Sequence, residues 1–300
     1  MKMPVKEKLT VRIGDTDIPV TNPDKYLWPD ENISKLDYVK KLAFLSPFLL
    51  KYCGNRYLTT IRYPNGITGK SFYQKSCPEP KPDYIQTGQL ESTHYVIPKS
   101  PADILWLGNL ACLEFHPSLH VVDSMQPAEW IIDMDPTSPD GPDMAEAACL
   151  VGELLTQLQI HSIPKTSGAT GIQIYIPIEQ GPSFEQLRVL GQFIAEFMVT
   201  KHPRIFTIER MTKDRGDKIY LDYLQHWYGK TLASPYTPRA KPGAPVSTPL
   251  AWDELALGFD PKRYNLFTIE ERLTQLGDLI DDVPKQSLSE VIRFVSRHKS

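Results

Sequence analysis

The chain has 300 residues, of which 41% are hydrophobic and 23% are charged, and its formal net charge is −3. This composition is typical of a globular protein; it excludes a disordered chain and a nucleic-acid binder that is basic overall, although a polyanion could bind to a local basic patch. No run approaches the roughly 20 apolar residues of a membrane span, and the cysteines form no C-x-x-C pair, which argues against a disulfide framework and a zinc knuckle.

The first part of the chain predicts a hairpin followed by helices. Residues 6–20 alternate apolar and polar side chains about a Gly-Asp turn, as a two-stranded hairpin does. Ser34, with Asp37 three residues later, predicts the N-cap of a helix. Because proline disrupts the interior of a helix, we expect this helix to end at Pro47 and a second short helix to cover residues 48–52.

Residues 57–75 combine a predicted strand with aromatic and basic side chains. The strand covers residues 57–62, and the cluster after it contains Phe72, Tyr73 and Lys75. Bases stack on aromatic rings while lysine meets phosphate, so the cluster fits nucleic acid, but the two rings fit the core of an ordinary strand equally well. Residues 102–116 then predict a short helix and a strand that ends at His116.

The sequence WIIDMDP, residues 130–136, predicts a buried strand that ends in two carboxylates. Successive side chains of a strand point to opposite faces, so Asp133 and Asp135 share one face while Ile132 and Met134 share the other. Two such carboxylates repel each other unless a cation lies between them, and hard oxygen ligands suit Mg²⁺ or Mn²⁺. A pair of solvated aspartates at a strand end is the alternative, because so short a motif often occurs by chance.

The region after this strand predicts helices on a sheet and a loop that could meet phosphate. An amphipathic helix is predicted over residues 144–158, and Ser183 with Gln186 forms the capping box of another. Between two short strands lies the loop KTSGATG, residues 165–171, whose N–H groups and hydroxyl could bind phosphate as a backbone nest does. As an isolated hairpin turn, the loop would carry no function.

A third aspartate and two further helices complete the pattern. Asp222 lies in a predicted strand over residues 219–224, and a charge in such a strand is costly unless it is paired or bound to metal. It is therefore a candidate third ligand beside Asp133 and Asp135. The C-terminal region predicts helices near residues 270–279 and 288–297.

Several of these motifs occur in one order: LWP, FYQK, LEFHP, WIIDMDP, KTSGATGIQIYIP, IYLDYL and RAKPGAPVSTPLAWDEL. Over residues 21–254 the chain thereby resembles the polymerase domain of bacterial LigD-type end-joining proteins, in the archaeo-eukaryotic primase superfamily. The resemblance implies an α/β (α+β) primase-polymerase fold with central, mostly antiparallel β-sheets flanked by helices. It implies one catalytic domain over residues 1–300, in which residues 1–100 bind the DNA end, residues 101–255 form the catalytic core and residues 256–300 form C-terminal helices.

The resemblance also implies a role for individual residues. Two divalent ions, Mn²⁺ or Mg²⁺, would be bound by Asp133, Asp135 and Asp222. The nucleoside triphosphate would be bound by His116, Lys165, Ser167, Gly168, Gln173, Arg215 and Arg239. The DNA 5′-phosphate and template would be bound by Lys25, Lys35, Phe72 and Lys75. Many relatives have histidine where this chain has Gln173, so that contact departs from the family pattern.

The function implied is a DNA-dependent primase-polymerase that adds nucleotides, preferentially ribonucleotides, at gaps and ends during double-strand break repair. Its expected partners are DNA with 5′-phosphate ends, nucleoside triphosphates, Ku and a DNA ligase, and no membrane; its expected place is the cytoplasm, at the nucleoid. Two other classes are compatible with parts of the pattern. A metal-dependent glycosyltransferase would use Asp133 and Asp135 but would not need Asp222 or Lys25. A DNA-end-binding module with a vestigial metal site would be expected to have lost one aspartate.

Overall fold

The computed structural model describes residues 9–298. The strands are β1 (Thr10–Ile13), β2 (Thr16–Pro19), β3 (Tyr26–Trp28), β4 (Ile33–Ser34), β5 (Arg56–Arg62), β6 (Phe72–Gln74), β7 (Thr87–Leu90), β8 (Thr93–Val96), β9 (Cys112–Val121), β10 (Glu129–Pro136), β11 (Ile163–Thr166), β12 (Ile172–Pro177), β13 (Phe206–Thr207) and β14 (Ile219–Leu221). The α-helices are α1 (Lys35–Cys53), α2 (Pro101–Asn109), α3 (Met144–Gln157), α4 (Phe184–Lys201), α5 (Trp252–Ala256), α6 (Ile269–Leu276) and α7 (Ser289–His298). Within residues 9–298, none of the helices has the length and apolar character needed to cross a membrane.

Two five-stranded sheets form the centre of the molecule. In the first sheet the order is β6-β5-β8-β7, and β9 also pairs with β5; in the second the order is β11-β12-β10-β14-β13. The pairs are antiparallel except for β13 with β14, which is parallel. Helices α1 and α2 pack against the first sheet, α3, α4 and α5 pack against the second, and α7 packs against α4. The predicted class, a mixed α/β fold with mostly antiparallel sheets, is confirmed.

The two faces of β10 meet different parts of the core. Trp130, Ile132 and Met134 pack with apolar side chains of α3, α4 and α7. Ile131, on the other face, packs with a core that includes α1, α2 and the first sheet. Burying a large apolar side chain stabilises a fold by roughly 1.5–3 kcal/mol, so this alternation fixes which way β10 faces. Asp133, on the same face as Ile131, is thereby aimed between the sheets.

A buried ion pair joins the two sheets beneath the aspartates. Glu129 on β10 accepts hydrogen bonds of 2.5 Å from both terminal nitrogens of Arg56 on β5. The hydroxyl of Tyr175 on β12 donates to the same carboxylate at 3.1 Å. Removing one partner of such a pair leaves a buried charge uncompensated, which typically costs about 3–5 kcal/mol. The pair therefore holds β10 in one position against the first sheet.

The predicted N-terminal hairpin is confirmed as β1 and β2, while residues 6–8 of that prediction lie outside the described residues. The N-cap of α1 is also confirmed, because Ser34 and Asp37 form a capping box. The predicted break at Pro47 is wrong, since α1 runs through it without interruption. Proline cannot donate to the carbonyl oxygen of Ala43, but the hydroxyl of Ser46 does so at 2.9 Å and satisfies that acceptor.

Two strand ends differ from the sequence prediction. Strand β9 does not end at His116 but continues to Val121, and its residues pair with β5 across a register shift. Strand β14 ends at Leu221, so Asp222 follows the strand instead of lying within it. The carboxylate of Asp222 accepts from the backbone N–H of Leu224 at 3.1 Å, and such a local turn competes with further strand pairing.

The remaining predicted elements are confirmed with small changes of boundary. They are β5, α2, β10, α3, the capped helix α4, the two strands β11 and β12 around the loop at residues 167–171, and the helices α6 and α7.

Candidate active site

The three aspartates lie together, two in the C-terminal half of β10 and the third directly after β14. Asp133 and Asp135 share a face of β10, and the backbone N–H of Asp222 donates to the carbonyl oxygen of Asp133 at 3.0 Å. Burial, followed by the charge of Asp135 and that of Asp222, raises the pKa of Asp133. Burial and the charge of Asp222 also raise the pKa of Asp135. Adjacent carboxylates disfavour each other's ionised form, and a bound cation would remove that cost.

The three aspartates offer the donor chemistry of a metal site without a completed geometry. Within residues 9–298, no three His, Cys, Asp or Glu side chains are already arranged around one point as metal ligands. The donors available are nevertheless carboxylate oxygens from Asp133, Asp135 and Asp222, and the charge of Asp222 raises the pKa of both Asp133 and Asp135. Such a set fits a hard divalent cation and does not fit a soft one.

A row of polar side chains crosses β11, β12 and β10. The strand register pairs Lys165 with Gln173 and Gln173 with Asp133. The amide nitrogen of Gln173 donates to Oδ1 of Asp133 at 3.0 Å, and its amide oxygen accepts from Nζ of Lys165 at 2.6 Å. Lys165 also donates to the hydroxyl of Ser247 at 2.6 Å. Lys165 therefore reaches the aspartates through Gln173.

The burial of Lys165 lowers the pKa of its ammonium group. The side chain is fully buried, and burial, followed by the positive charge of Arg239, lowers the pKa of its ammonium to about 7, against the opposing effect of Asp133. A lysine with such a pKa changes charge near neutrality. The row from Lys165 to Asp133 thus contains titratable groups at both ends.

The loop between β11 and β12 folds around the hydroxyl of Ser167. The backbone N–H groups of Ala169 and Gly171 donate to Ser167 Oγ at 3.2 and 3.1 Å. Gly168 has a φ of +71°, and a Cβ there would lie 2.4 Å from Cγ of Arg239, so only glycine fits. The guanidinium of Arg239 donates to the carbonyl oxygen of Ser167. The glycine therefore brings a hydroxyl and a guanidinium together beside β10.

Glu114 on β9 positions two of the predicted nucleotide contacts. Its Oε2 accepts from Nε of Arg239 at 2.9 Å and lies 3.0 Å from Nε2 of His116. Burial favours the neutral acid, but the hydrogen bond with His116 and the charge of Arg239 outweigh it and hold the pKa of Glu114 at about 2. Burial lowers the pKa of His116 in spite of Glu114. An ionised Glu114 therefore orients both side chains at neutral pH.

Arg215 lies on the opposite flank of the aspartates. Its guanidinium is 3.7 Å from the ring centroid of Tyr220 and donates to the carbonyl oxygens of Glu209 and Arg210 at 2.9 and 3.0 Å. Tyr220 on β14 pairs with Asp135 on β10. The pKa of Asp135 is raised by burial and by the charge of Asp222, and the charges of Arg215 and Arg239 oppose this rise, so cations act on the carboxylate from two sides.

The two lysines predicted to bind a 5′-phosphate lie near each other in the N-terminal part. Lys35 is buried and donates to Oγ1 of Thr21 at 3.1 Å and to the carbonyl oxygen of Asn109 at 2.9 Å. Burial, followed by the charges of Lys25 and Arg62, lowers the pKa of Lys35 to about 8. Three cations in one small region would be stabilised by an anion.

The aromatic cluster beside these lysines faces solvent. Phe72 is 44% exposed and Tyr73 is 71% exposed, so the alternative that they are core residues is wrong. The guanidinium of Arg62 lies 5.3 Å from the ring centroid of Phe72, and Lys75 is exposed just after β6. An exposed ring beside cations is the arrangement on which a nucleic-acid base can stack.

The model of the LigD primase-polymerase domain family matches residues 34–280. The chain belongs to this family. A bifunctional non-homologous end joining protein LigD of Bacillus subtilis is 38% identical over 259 residues, which are 86% of this chain and 42% of the relative. A multifunctional LigD of Mycolicibacterium smegmatis is 30% identical over 275 residues, which are 88% of this chain and 35% of the relative. This member of the family therefore spans less than half the length of these relatives.

The fold agrees with that of a solved LigD structure. The polymerase domain of Mycobacterium tuberculosis Ligase D, solved in complex with DNA, matches with a TM-score of 0.79 and 24% sequence identity over 88% of this chain and 98% of that one. The resemblance inferred from the motifs and the primase-polymerase fold are thus confirmed. As a LigD primase-polymerase domain, the chain is a nucleotidyltransferase of the polymerase type, which decides against the glycosyltransferase alternative.

Three residues of this LigD domain were not singled out from the sequence. Glu114 lies two residues before His116 in a strand and hence on the same face, a signal that the LEFHP motif already contained. Ser247 lies within the motif RAKPGAPVSTPLAWDEL, but its hydrogen bond with Lys165, 82 positions away, depends on packing that the sequence does not display. Arg62 ends a predicted strand, and its place beside Phe72 depends on the pairing of β5 with β6.

Proposed function

We propose that this chain adds nucleotides, preferentially ribonucleotides, to the 3′ end of DNA at gaps and breaks during double-strand break repair by end joining. The observation that carries the proposal is the meeting of Asp133, Asp135 and Asp222 between flanks that bear Arg239 and Arg215. Carboxylates at the centre and guanidinium groups on both sides suit a reaction between a 3′-hydroxyl and a triphosphate. Membership of the LigD primase-polymerase family supports it.

Asp133, Asp135 and Asp222 would hold two divalent ions, Mn²⁺ or Mg²⁺. When bound, such ions supply a lowered pKa for the attacking hydroxyl and charge neutralisation for the leaving pyrophosphate. The protein itself must keep the three carboxylates ionised and must hold them in fixed positions relative to one another. Gln173 contributes to this, since its hydrogen bond to Asp133 favours the charged form of that carboxylate.

The nucleoside triphosphate would lie on the side of β10 that faces β12 and β9. Ser167, Gly168 and Arg239 meet there in one loop cluster, with the backbone free of a Cβ at the glycine. His116, held by Glu114, would contact the same nucleotide. Lys165 would act from beneath, through Gln173. Arg215 would reach the triphosphate from the other flank.

The DNA end would bind to the N-terminal part. Lys25 and Lys35 would bind the 5′-phosphate of a gap or break; the charges of Lys25 and Arg62, which act on Lys35, support this assignment. The exposed ring of Phe72 would stack on the template, and Lys75 would contact its backbone. Charge-assisted contacts to a phosphate and a stacked base together can define the register of a short gap.

The cellular role proposed is that of the end-joining relatives. Those proteins are named as bifunctional or multifunctional non-homologous end joining proteins LigD. We propose that this chain likewise acts with Ku and a DNA ligase at broken DNA ends in the nucleoid. Co-purification of the chain with a Ku homologue, with and without broken DNA, tests this part of the proposal separately from the chemistry.

Primer extension on a DNA gap with a 5′-phosphate tests the proposed activity. Each deoxyribonucleotide and ribonucleotide is supplied singly, with either Mn²⁺ or Mg²⁺, and the same gap without the 5′-phosphate is run in parallel. We expect templated addition, faster with ribonucleotides and on the phosphorylated gap. A chain that extends neither gap with either metal would contradict the proposal, and equal use of both sugars would contradict the ribonucleotide preference.

A further inference from the structure

A basic pocket of about 490 Å³ is lined by Asp222 and Arg215, and the sequence motifs gave no role to its other residues. Its basic side chains are Arg188, Arg210, Arg215 and Lys230, and Asp222 forms its acidic edge. We call it the β14 pocket. None of the residues of the loop at 167–171 lines it. Four cations around one small space point to an anionic ligand.

The strand order separates this pocket from the loop that carries Ser167. In the second sheet β10 lies between β12 and β14, so its aspartates have one neighbour on each side. Lys165 and Gln173 lie on the β12 side, whereas Tyr220, which also lines the β14 pocket, pairs with Asp135 from the β14 side. The two basic regions therefore flank the carboxylates from opposite sides.

Three of the basic side chains are held in place by the protein. Arg188 lies 3.4 Å from the ring centroid of Trp227, and its buried Nε has no hydrogen-bond partner among the described residues. Arg215 is held by Tyr220 and by two carbonyl oxygens, and Nζ of Lys230 donates to the carbonyl oxygen of Leu224 at 3.0 Å. Cations fixed in this way lose little side-chain entropy when a ligand binds.

The geometry of nucleotidyl transfer indicates which anion the β14 pocket binds. Nucleotidyl transfer is an in-line displacement, in which the attacking 3′-oxygen and the leaving pyrophosphate lie on opposite sides of the phosphorus. With the triphosphate on the Ser167 side, the strand that carries the 3′-hydroxyl must approach from the β14 side. We infer that Arg188, Arg210 and Lys230 of the β14 pocket bind the backbone phosphates next to the 3′ end of the primer strand, while Arg215, on the same flank, keeps its proposed contact with the triphosphate. This inference rests on the proposed function and adds Arg188, Arg210 and Lys230 as positioning residues.

The test uses the two exposed cations, whose replacement does not disturb packing. Arg210→Gln with Lys230→Gln is compared with a control of equal charge change, Lys262→Gln with Lys285→Gln, at exposed positions that do not line the pocket. Binding of a duplex with a 3′ overhang and no 5′-phosphate is measured by fluorescence anisotropy at several salt concentrations. Each protein is also measured with a primer whose last three linkages are uncharged methylphosphonates, and KM values are determined for primer and for nucleotide.

We expect the pocket variant to bind the natural overhang about tenfold more weakly than the parent and the control. Its log–log salt slope should fall by about 0.7 for each phosphate of the single strand that the variant no longer binds. On the methylphosphonate primer the variant and the parent should bind alike, and the KM for nucleotide should be unchanged.

Other results would overturn the inference. Parent-like binding of the natural overhang by the variant would do so, and a rise in the KM for nucleotide alone would assign the pocket to the triphosphate instead. Because binding is measured without turnover, a parent that binds the overhang through this pocket but extends no primer would refute the proposed function and leave the pocket assignment standing.

Discussion

Gln173 bridges Asp133 and Lys165: it donates to the carboxylate at 3.0 Å and accepts from the ammonium at 2.6 Å. The three residues are cross-strand neighbours on β10, β12 and β11, so the bridge follows from the strand register. It connects a buried cation to the centre of the candidate active site without a direct ion pair. An amide can do this at any pH, because it does not titrate.

The variant Gln173→Met, in which the new side chain has nearly the same shape, should be less stable than the parent by about 1–3 kcal/mol. The buried hydrogen-bonding groups of Asp133 and Lys165 would each lose a partner. Thermal or urea unfolding measures this, and the exposed Gln275→Met is a control on α6. A Gln173 variant as stable as the parent would show that water or another group replaces the amide.

The variant Gln173→His tests the difference from the family pattern. An imidazole gains a proton below about pH 6.5, so nucleotide affinity should increase as pH falls from about 8 to 6 relative to the parent, whose amide stays neutral. Isothermal titration with a non-hydrolysable triphosphate at several pH values measures the effect. Identical pH profiles of the two proteins would mean that residue 173 does not contact the nucleotide.

Lys35 should make recognition of the 5′-phosphate pH-dependent. Its pKa is lowered to about 8, so its positive charge is present below that pH and is lost as pH rises through it. A phosphate monoester is a dianion above about pH 6. The preference for phosphorylated over unphosphorylated gaps should therefore be greatest between about pH 6 and 8 and should decline above 8.

Lys35→Ala and Lys25→Ala should each reduce this preference, by up to about 1.5–3 kcal/mol where the contact is desolvated and by less where it is exposed. Lys40→Ala, at an exposed position of the same helix α1, is the matched control. Competition binding with the two kinds of end gives the preference directly. If the variants discriminate between the two ends as the parent does, these lysines do not bind the 5′-phosphate.

Glu114→Gln should weaken nucleotide binding and lower the unfolding free energy above pH 4.5, and the loss of stability should shrink as pH falls towards 2. The pKa of Glu114 is held at about 2, below its usual value of about 4.5, so the ionised carboxylate stabilises the fold above pH 4.5. This contribution is lost as pH falls from about 4.5 to 2. The variant should therefore show a flatter dependence of unfolding free energy on pH in that range, and a higher KM for nucleotide because Arg239 and His116 lose their anchor.

The local patterns in the sequence predicted most of the elements and the central aspartates. The alternation in WIIDMDP gave the two faces of β10, and the caps at Ser34 and Ser183 gave the starts of α1 and α4. Those features depend on neighbours within a few residues, which a sequence displays. The continuity of α1 through Pro47 was not predicted, because it depends on the side chain of Ser46, whose hydroxyl replaces the missing backbone donor.

Long-range partners could not be predicted in the same way. Ser247 beside Lys165 and Asn109 beside Lys35 come from segments 82 and 74 positions away. The cations of the β14 pocket come from α4, from the loop before β14 and from the loop after it. Only the packing of these elements brings them together, and no spacing rule along the chain reports it.

Primer extension by Asp222→Ala tests the central claim most directly, because Asp222 joins the site from outside β10. On a phosphorylated gap with Mn²⁺ or Mg²⁺, we predict loss of extension while DNA binding is retained and while the exposed Asp15→Ala behaves as the parent does. The double variant Asp133→Ala/Asp222→Ala should be no less active than either single one, since the residues act as one unit. Extension by Asp222→Ala at the parent's rate would contradict the three-carboxylate account.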